Sequence, residues 1–204
     1  MISFLDFVHS TQRLLENADN TVIFSFARMN PPTQGHLLLM KKLVELGKKH
    51  NAVPLLFLSH SHDPKKNPLT YDDKYEIIRR IAPKGLNVIR SNAKSYADAV
   101  KEVSSVNGVG TNIIVVAGSD RVADFERFAK YKDDFGFNSL QVVSSGLRDP
   151  DAENVSGVSA TKLRNYAKDG DYEKFSKDAG TAGNKNLTKI LYDKVREGMG
   201  CKNA

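Results

Sequence analysis

Apolar positions in this chain follow two alternating rhythms. Thr21-Val22-Ile23-Phe24-Ser25-Phe26 is β-rich and almost unbrokenly apolar, the pattern of a strand covered on both faces. From about residue 35 to 50, Leu37, Leu38, Met40, Leu43, Val44 and Leu46 recur at helical spacing. The alternation then continues: strand 53–59, loop 60–69, helix from 70 or 71 to 81, short strand 86–90, helix 96–106 and loop 107–110. Strand 112–117 reads as the most buried of all, and helix 121–131 and strand 140–144 follow it. After Pro150 only helical patterns remain, at 159–168, 171–178 and 187–197. Ahead of the first strand, Phe4, Phe7, Val8, Leu14 and Leu15 form an amphipathic stripe over 3–18, which predicts a leading helix that packs on the sheet domain or on a second copy of the chain.

Five strands alternating with helices predict an α/β fold with a doubly wound, five-stranded parallel sheet of Rossmann-like type. Helical additions stand at both ends, residues 3–18 and 171–199, around a core of about 21–170. With 204 residues and no repeat or low-complexity segment, the chain reads as one domain.

Composition narrows the class. No apolar run approaches the roughly 20 residues a membrane span needs, and Asp6 interrupts the first apolar stretch, which is unlike a secretory signal. A single cysteine, Cys201, allows no internal disulfide, so a cytoplasmic setting is expected. The net charge of +6 suits anionic ligands. Lys and Arg are dispersed without interleaved aromatics, which argues against nucleic acid as a partner.

Three segments at predicted strand–helix junctions carry chemistry. In Phe26-Ala27-Arg28-Met29-Asn30-Pro31-Pro32-Thr33-Gln34-Gly35-His36 a strand ends and a helix begins, with Thr33 as a candidate N-cap. The free N–H groups of that helix start would face the C-terminal edge of the sheet, where such folds bind ligands and where phosphate is attracted. Gly35 would let a phosphate approach, and His36 can donate to a phosphoryl oxygen; the same residues also read as a capped helix with an incidental glycine and an exposed histidine. In Val158-Ser159-Ala160-Thr161-Lys162-Leu163-Arg164, Ser159 caps a helix whose amides and hydroxyls can hold phosphates while Arg164 neutralises them; alone it reads as a capped surface helix. In Ala117-Gly118-Ser119-Asp120 the carboxylate either accepts from a ribose diol or caps a helix. The loop His60-Ser61-His62-Asp63-Pro64-Lys65-Lys66 has a cluster of metal-ligand types, but no matching downstream ligand set accompanies it, so no protein-bound metal is assigned.

The first loop resembles the nucleotidyltransferase superfamily with the (H/T)-x-G-H motif, which includes nicotinamide-mononucleotide adenylyltransferases and glycerol-phosphate cytidylyltransferases. Asn30, Pro31, Thr33, Gly35 and His36 fit its pattern, while Ala27 and Met29 stand where a glycine and a phenylalanine are usual. The segment from Val158 to Arg164 resembles the family's I-S-S-T-x-(I/L)-R, with Ala160 for one serine, and Gly118-Ser119-Asp120 its G-(S/T)-D. The resemblance covers about residues 21–170.

It implies His36, Thr33, Lys66 and Arg164 as the catalytic set, with Lys65 an alternative to Lys66. It implies Phe26, Ala27, Asn30, Gly35, Gly118, Asp120, Val158, Ser159 and Thr161 around the nucleotide. ATP would be the donor, a phosphorylated small molecule such as nicotinamide mononucleotide the acceptor, pyrophosphate the leaving group, and Mg²⁺ the cofactor, held by phosphate oxygens and water. The alternatives are a cytidylyltransferase using CTP and a phosphorylated alcohol or sugar, and a non-catalytic nucleotide-binding or scaffold protein that kept the fold.

Overall fold

A computed structural model describes residues 20–107, 110–146 and 159–201. The leading stripe at 3–18 and Val158 therefore lie outside the described residues. Five strands, β1 (Thr21–Ala27), β2 (Leu55–Leu58), β3 (Asn87–Ile89), β4 (Thr111–Ala117) and β5 (Phe137–Ser144), form one parallel sheet of order β3-β2-β1-β4-β5. This is the doubly wound arrangement that the alternation of strands and helices implies. The helices are α1 (Gln34–Lys49), α2 (Tyr71–Ile81), α3 (Tyr96–Asn107), α4 (Val122–Glu126), α5 (Ala160–Asp169), α6 (Tyr172–Asp178) and α7 (Lys185–Gly198). No helix among the described residues is long and apolar enough to cross a membrane.

The described residues group into two compact units. The first holds 20–27, 39–59, 83–107 and 110–146, hence the sheet, most of α1, α3 and α4. In its centre Phe24 of β1 lies opposite Leu55 of β2 and Val115 of β4, all three buried. One face of the sheet packs Phe24 and Phe57 edge to face at 5.7 Å. On Phe24 stacks Tyr96 of α3, at 6.1 Å, and on Tyr96 stacks Phe125 of α4, at 4.1 Å. Burying such side chains contributes about 1.5–3 kcal/mol each.

Two segments differ from the sequence expectation. The predicted helix 121–131 is instead a 3₁₀ turn (Ser119–Arg121), the short α4, and a second 3₁₀ turn (Ala129–Tyr131). Breaking the helix lets both Phe125 and Phe128 reach the Tyr96 ring, the latter edge-on at 4.8 Å. Strand β5 begins at Phe137, three residues early, because Phe137 pairs with Thr111 across a register shift. Its polar start hid it: Asn138 Nδ2 and Ser139 Oγ both donate to Asn112 Oδ1 at 2.8 Å along an exposed edge.

The second unit holds 28–38, 60–82 and 159–201: the loop before α1 with its first turn, the loop before α2, α2 itself, and α5 to α7. Leu163, Ala167, Phe175, Leu191 and Val195 are wholly buried there. Its helices begin on side-chain caps: Thr70 on Asp73 N, Ser159 on Lys162 N, Asp171 on Lys174 N and Asn184 on Leu187 N.

Candidate active site

Within the second unit the candidate site starts where the chain leaves β1. Met29 is buried in a left-handed conformation (φ 44°), which an ordinary side chain rarely adopts. Four residues on, the chain reaches Thr33, whose carbonyl accepts from His36 N (3.0 Å) and Leu37 N (3.4 Å), so Thr33 occupies the N-cap position of α1. His36 then reaches back. Its Nδ1 accepts the Thr33 N–H at 2.9 Å and lies 3.0 Å from Thr33 Oγ1. That is the reach-back half of a capping box, with histidine in the place of the usual Glu or Gln. Because Nδ1 faces a donor, the hydrogen-bond network assigns the ring proton of the neutral imidazole to Nε2.

Gly35 has no positive φ and no crowding: a Cβ there would meet only Thr33 Oγ1, at 3.7 Å. Nothing in the chain itself requires a glycine, although one in a helix costs about 1 kcal/mol against alanine.

Asn30 holds this loop to the loop before α2. Buried, it donates from Nδ2 to Leu69 O at 3.0 Å and accepts Leu69 N–H on Oδ1 at 2.9 Å. Its side chain is thus committed to backbone. The 60–69 loop is folded around Asp63, whose Oδ1 accepts Lys65 N (3.0 Å) and Lys66 N (2.7 Å) while Oδ2 accepts from Asn67. These bonds, that to Lys66 N first, hold the Asp63 carboxyl below its ordinary range. They leave Lys65 and Lys66 on an exposed tip. His60 stacks on Tyr71 at 3.9 Å. No group of three or more His, Cys, Asp or Glu suited to a metal occurs among the described residues.

Arg164 joins the second motif to the first. From α5 its Nη1 donates to Asn30 O at 2.9 Å and its Nη2 to Thr161 Oγ1 at 2.9 Å. Ser159 caps α5, with Oγ accepting Lys162 N at 3.1 Å. Burial first, and then the like charge of Arg28, press the Arg164 pKa downward, and Asp63 opposes them. A guanidinium keeps its proton regardless.

Two residues of the site carried no sequence signal that set them apart. Lys74, on α2, is wholly buried. Burial, followed by the Arg28 charge, lowers its pKa from 10.5 to about 8. Arg28 lies within electrostatic reach of both Lys74 and Arg164. The unit therefore gathers three cations, and Asp63, the carboxylate that acts on Arg164, also accepts from its own loop.

Of the predicted set, Thr33 and His36 form one bonded pair, and Asn30, Arg164 and Thr161 a bonded trio. Phe26, Ala27, Gly118 and Asp120 belong to the first unit, at the C-terminal ends of β1 and β4, which are neighbours in the sheet. The Ala27 methyl is accommodated inside, and Ala27 O accepts Ser59 N at 3.0 Å. Asp120 is exposed and folds back, its Oδ1 lying 2.7 Å from where a Cβ on Gly118 would stand. Neither short helix after β4 has a side-chain cap, so Asp120 is not a helix cap.

A family model described as cytidylyltransferase-like matches residues 26–166. A search of curated proteins by sequence gave no match. Among solved structures, the nicotinic acid mononucleotide adenylyltransferase of Plasmodium falciparum, complexed with APC, aligns with a TM-score of 0.57 at 11% identity, over 85% of this chain and 98% of that one. A candidate nicotinate-nucleotide adenylyltransferase from Vibrio parahaemolyticus aligns at 0.52 and 16% identity, over 84% of this chain and 98% of that one. Thermotoga maritima TmcAL, in its apo form I, aligns at 0.51 and 14% identity, over 88% of this chain and 58% of that one. At these identities the likeness is one of fold.

Proposed function

This chain belongs to the cytidylyltransferase-like family of nucleotidyltransferases, and we propose that it transfers AMP from ATP to a phosphate-bearing acceptor, nicotinamide mononucleotide being the first candidate, with release of pyrophosphate. The observation that carries this reading is the bonded set Thr33–His36 and Asn30–Arg164–Thr161, with Arg28 and the buried Lys74 in the same unit. A donor histidine and three cations in one unit suit a polyphosphate.

The reaction is an in-line displacement. An acceptor phosphate oxygen bonds to the α-phosphorus as the bond from that phosphorus to the bridging oxygen of the β-phosphate breaks, and the electron pair leaves on pyrophosphate. The acceptor oxygen is already ionised, so no strong base is needed, and catalysis is positioning plus charge stabilisation. His36 Nε2–H donates to the α-phosphoryl oxygen, where negative charge develops. Arg164 and Lys74, with Arg28, neutralise the departing β- and γ-phosphates. Lys66, on its exposed tip, closes over the same phosphates. Gly35 lets phosphate come close to the amides of the first turn of α1, which accounts for a glycine that the chain's own packing does not demand. Ser159 and Thr161 are assigned to the triphosphate and Asn30 holds its own loop, while in the first unit Asp120, at the end of β4, is the group able to accept from a ribose diol.

The donor set fits Mg²⁺ only as a passenger of the nucleotide, because the described residues offer it no cluster of carboxylates or imidazoles. Bound through phosphate oxygens and water, it would neutralise the leaving pyrophosphate.

Two solved structures that align along nearly their whole length are described as adenylyltransferases, which supports ATP. The family model's own description keeps CTP, with a phosphorylated alcohol or sugar, as the second reading. Mass spectrometry of the product tests the acceptor: with ATP and nicotinamide mononucleotide the reading expects a dinucleotide joined through a pyrophosphate. Turnover only with a phosphorylated alcohol or sugar would replace it.

A further inference from the structure

Residues 171–201 lie beyond the stretch that the family model matches, yet part of this tail is built into the catalytic loop. Ala179 forms an isolated antiparallel bridge with Thr33. Gly180 N donates to Pro32 O at 3.1 Å, and Gln34 Nε2 donates to Ala179 O at 2.9 Å. Three consecutive residues of the loop, Pro32, Thr33 and Gln34, are thus bonded to two residues of the tail.

The approach is close. A Cβ on Gly180 would stand 2.3 Å from Thr33 O, 2.6 Å from Thr33 C and 2.9 Å from Thr33 N. All three are backbone atoms that cannot swing aside, so only glycine permits this contact. Ala179 and Thr181 on either side are buried, and Thr181 Oγ1 pairs with Thr188 Oγ1 of α7 at 2.6 Å. Thr188 Oγ1 also donates to Asn184 O at 2.8 Å. The 179–181 segment is therefore fixed to α7.

The consequence follows from the Thr33–His36 bond. The imidazole takes its orientation from the Thr33 backbone N–H. Thr33's backbone takes its position from the tail. We propose that the Ala179–Gly180 strand is a positioning element of the transfer reaction, with Gly180 and Gln34 its positioning residues, acting through Thr33 to aim His36. This rests on the nucleotidyltransferase reading above only for its effect on turnover; the coupling from Gly180 to His36 stands on geometry alone.

Gly180→Ala in the full chain tests it, read by two measurements. The first is the ¹⁵N spectrum of the His36 ring, which reports whether Nδ1 is an acceptor and Nε2 carries the proton. The expected result is a single Nε2–H tautomer in the wild type and a shifted or mixed signal in the variant. The second is steady-state pyrophosphate release. Here kcat should fall on the order of 10²-fold while KM for the nucleoside triphosphate and the acceptor stays within about twofold, as for an ångström-scale misplacement of a catalytic group. If Gly180→Ala does not fold, Gln34→Ala, which deletes one bond at a half-exposed residue, is read in the same way, with a smaller fall in kcat expected. A folded variant with an unchanged His36 signal and unchanged kcat would overturn the proposal. A wild type that releases no pyrophosphate but whose His36 signal moves with Gly180→Ala would contradict the proposed function and leave the positioning coupling supported.

Discussion

The backbone N–H of Thr33 meets Nδ1 of His36 at 2.9 Å, so the imidazole is aimed by the residue at the helix N-cap. One histidine serves two purposes there. It satisfies an N–H at the helix start, and its proton is directed to Nε2, the atom that can donate to a phosphoryl oxygen.

His36→Ala should therefore show two separable effects. Turnover should fall by about 10²–10³, the usual cost of losing one donor at a centre of developing charge. Stability should fall by only about 1 kcal/mol, the scale of a lost helix cap. Pyrophosphate release and urea unfolding read the two. Near-wild-type turnover would remove His36 from the chemistry.

Arg164→Ala should weaken triphosphate binding far more than monophosphate binding. Arg164 is anchored on Asn30 O and Thr161 Oγ1, and the β- and γ-phosphates it would face are absent from AMP. Removing a charge-assisted contact costs about 1.5–3 kcal/mol. Titration calorimetry with ATP and AMP separates this from a general loss; equal losses would give Arg164 a purely structural role.

Lys74 should give stability a distinct pH dependence. Its folded pKa, about 8, lies below its ordinary value of 10.5, so between these values the unfolded chain binds the proton and the folded one does not. Stability contributed at this position must then rise with pH across that window, and the penalty for burying the charge is present in full below about 8. The gap corresponds to roughly 3 kcal/mol. Lys74→Met should be more stable than the wild type at pH 7, and the difference should close toward pH 10.5, while triphosphate affinity falls. Paired denaturant titrations at several pH values measure it; a pH-independent difference would contradict the buried charge.

Asn30→Ala should cost stability more than any exposed site residue. It breaks two buried bonds to Leu69 and leaves that backbone unsatisfied, about 1–3 kcal/mol for each stranded group. Thermal unfolding checks this, and a shift of less than a degree or two would mean that the two loops are held by something else.

The sheet was legible because its signal is local. Runs such as Asn112-Ile113-Ile114-Val115-Val116-Ala117 read as buried strands whatever surrounds them, and the structure places this one at the centre of β4. The cap at Ser159 was legible for the same reason. What stayed hidden depends on distant partners. The break in helix 121–131 is decided by Tyr96, which recruits Phe125 and Phe128. The burial of Lys74 depends on what packs over α2, and nothing in its neighbours separates a sequestered lysine from a solvated one. The bridge from Thr33 to Ala179 spans most of the chain, and Gly180 looked like any loop glycine. In the first loop, the motif identified His36 and Thr33, but only the geometry shows that one orients the other.

The proposed AMP transfer stands or falls on pyrophosphate release. The most direct measurement is the rate of pyrophosphate release from ATP and from CTP, each with Mg²⁺, across a panel of phosphorylated acceptors that includes nicotinamide mononucleotide. Release should require an acceptor, be fastest with ATP and a nucleotide-like acceptor, and be lost in His36→Ala. Faster release from CTP with a phosphorylated alcohol or sugar, or no release from any nucleoside triphosphate by a folded protein that binds them, would contradict it.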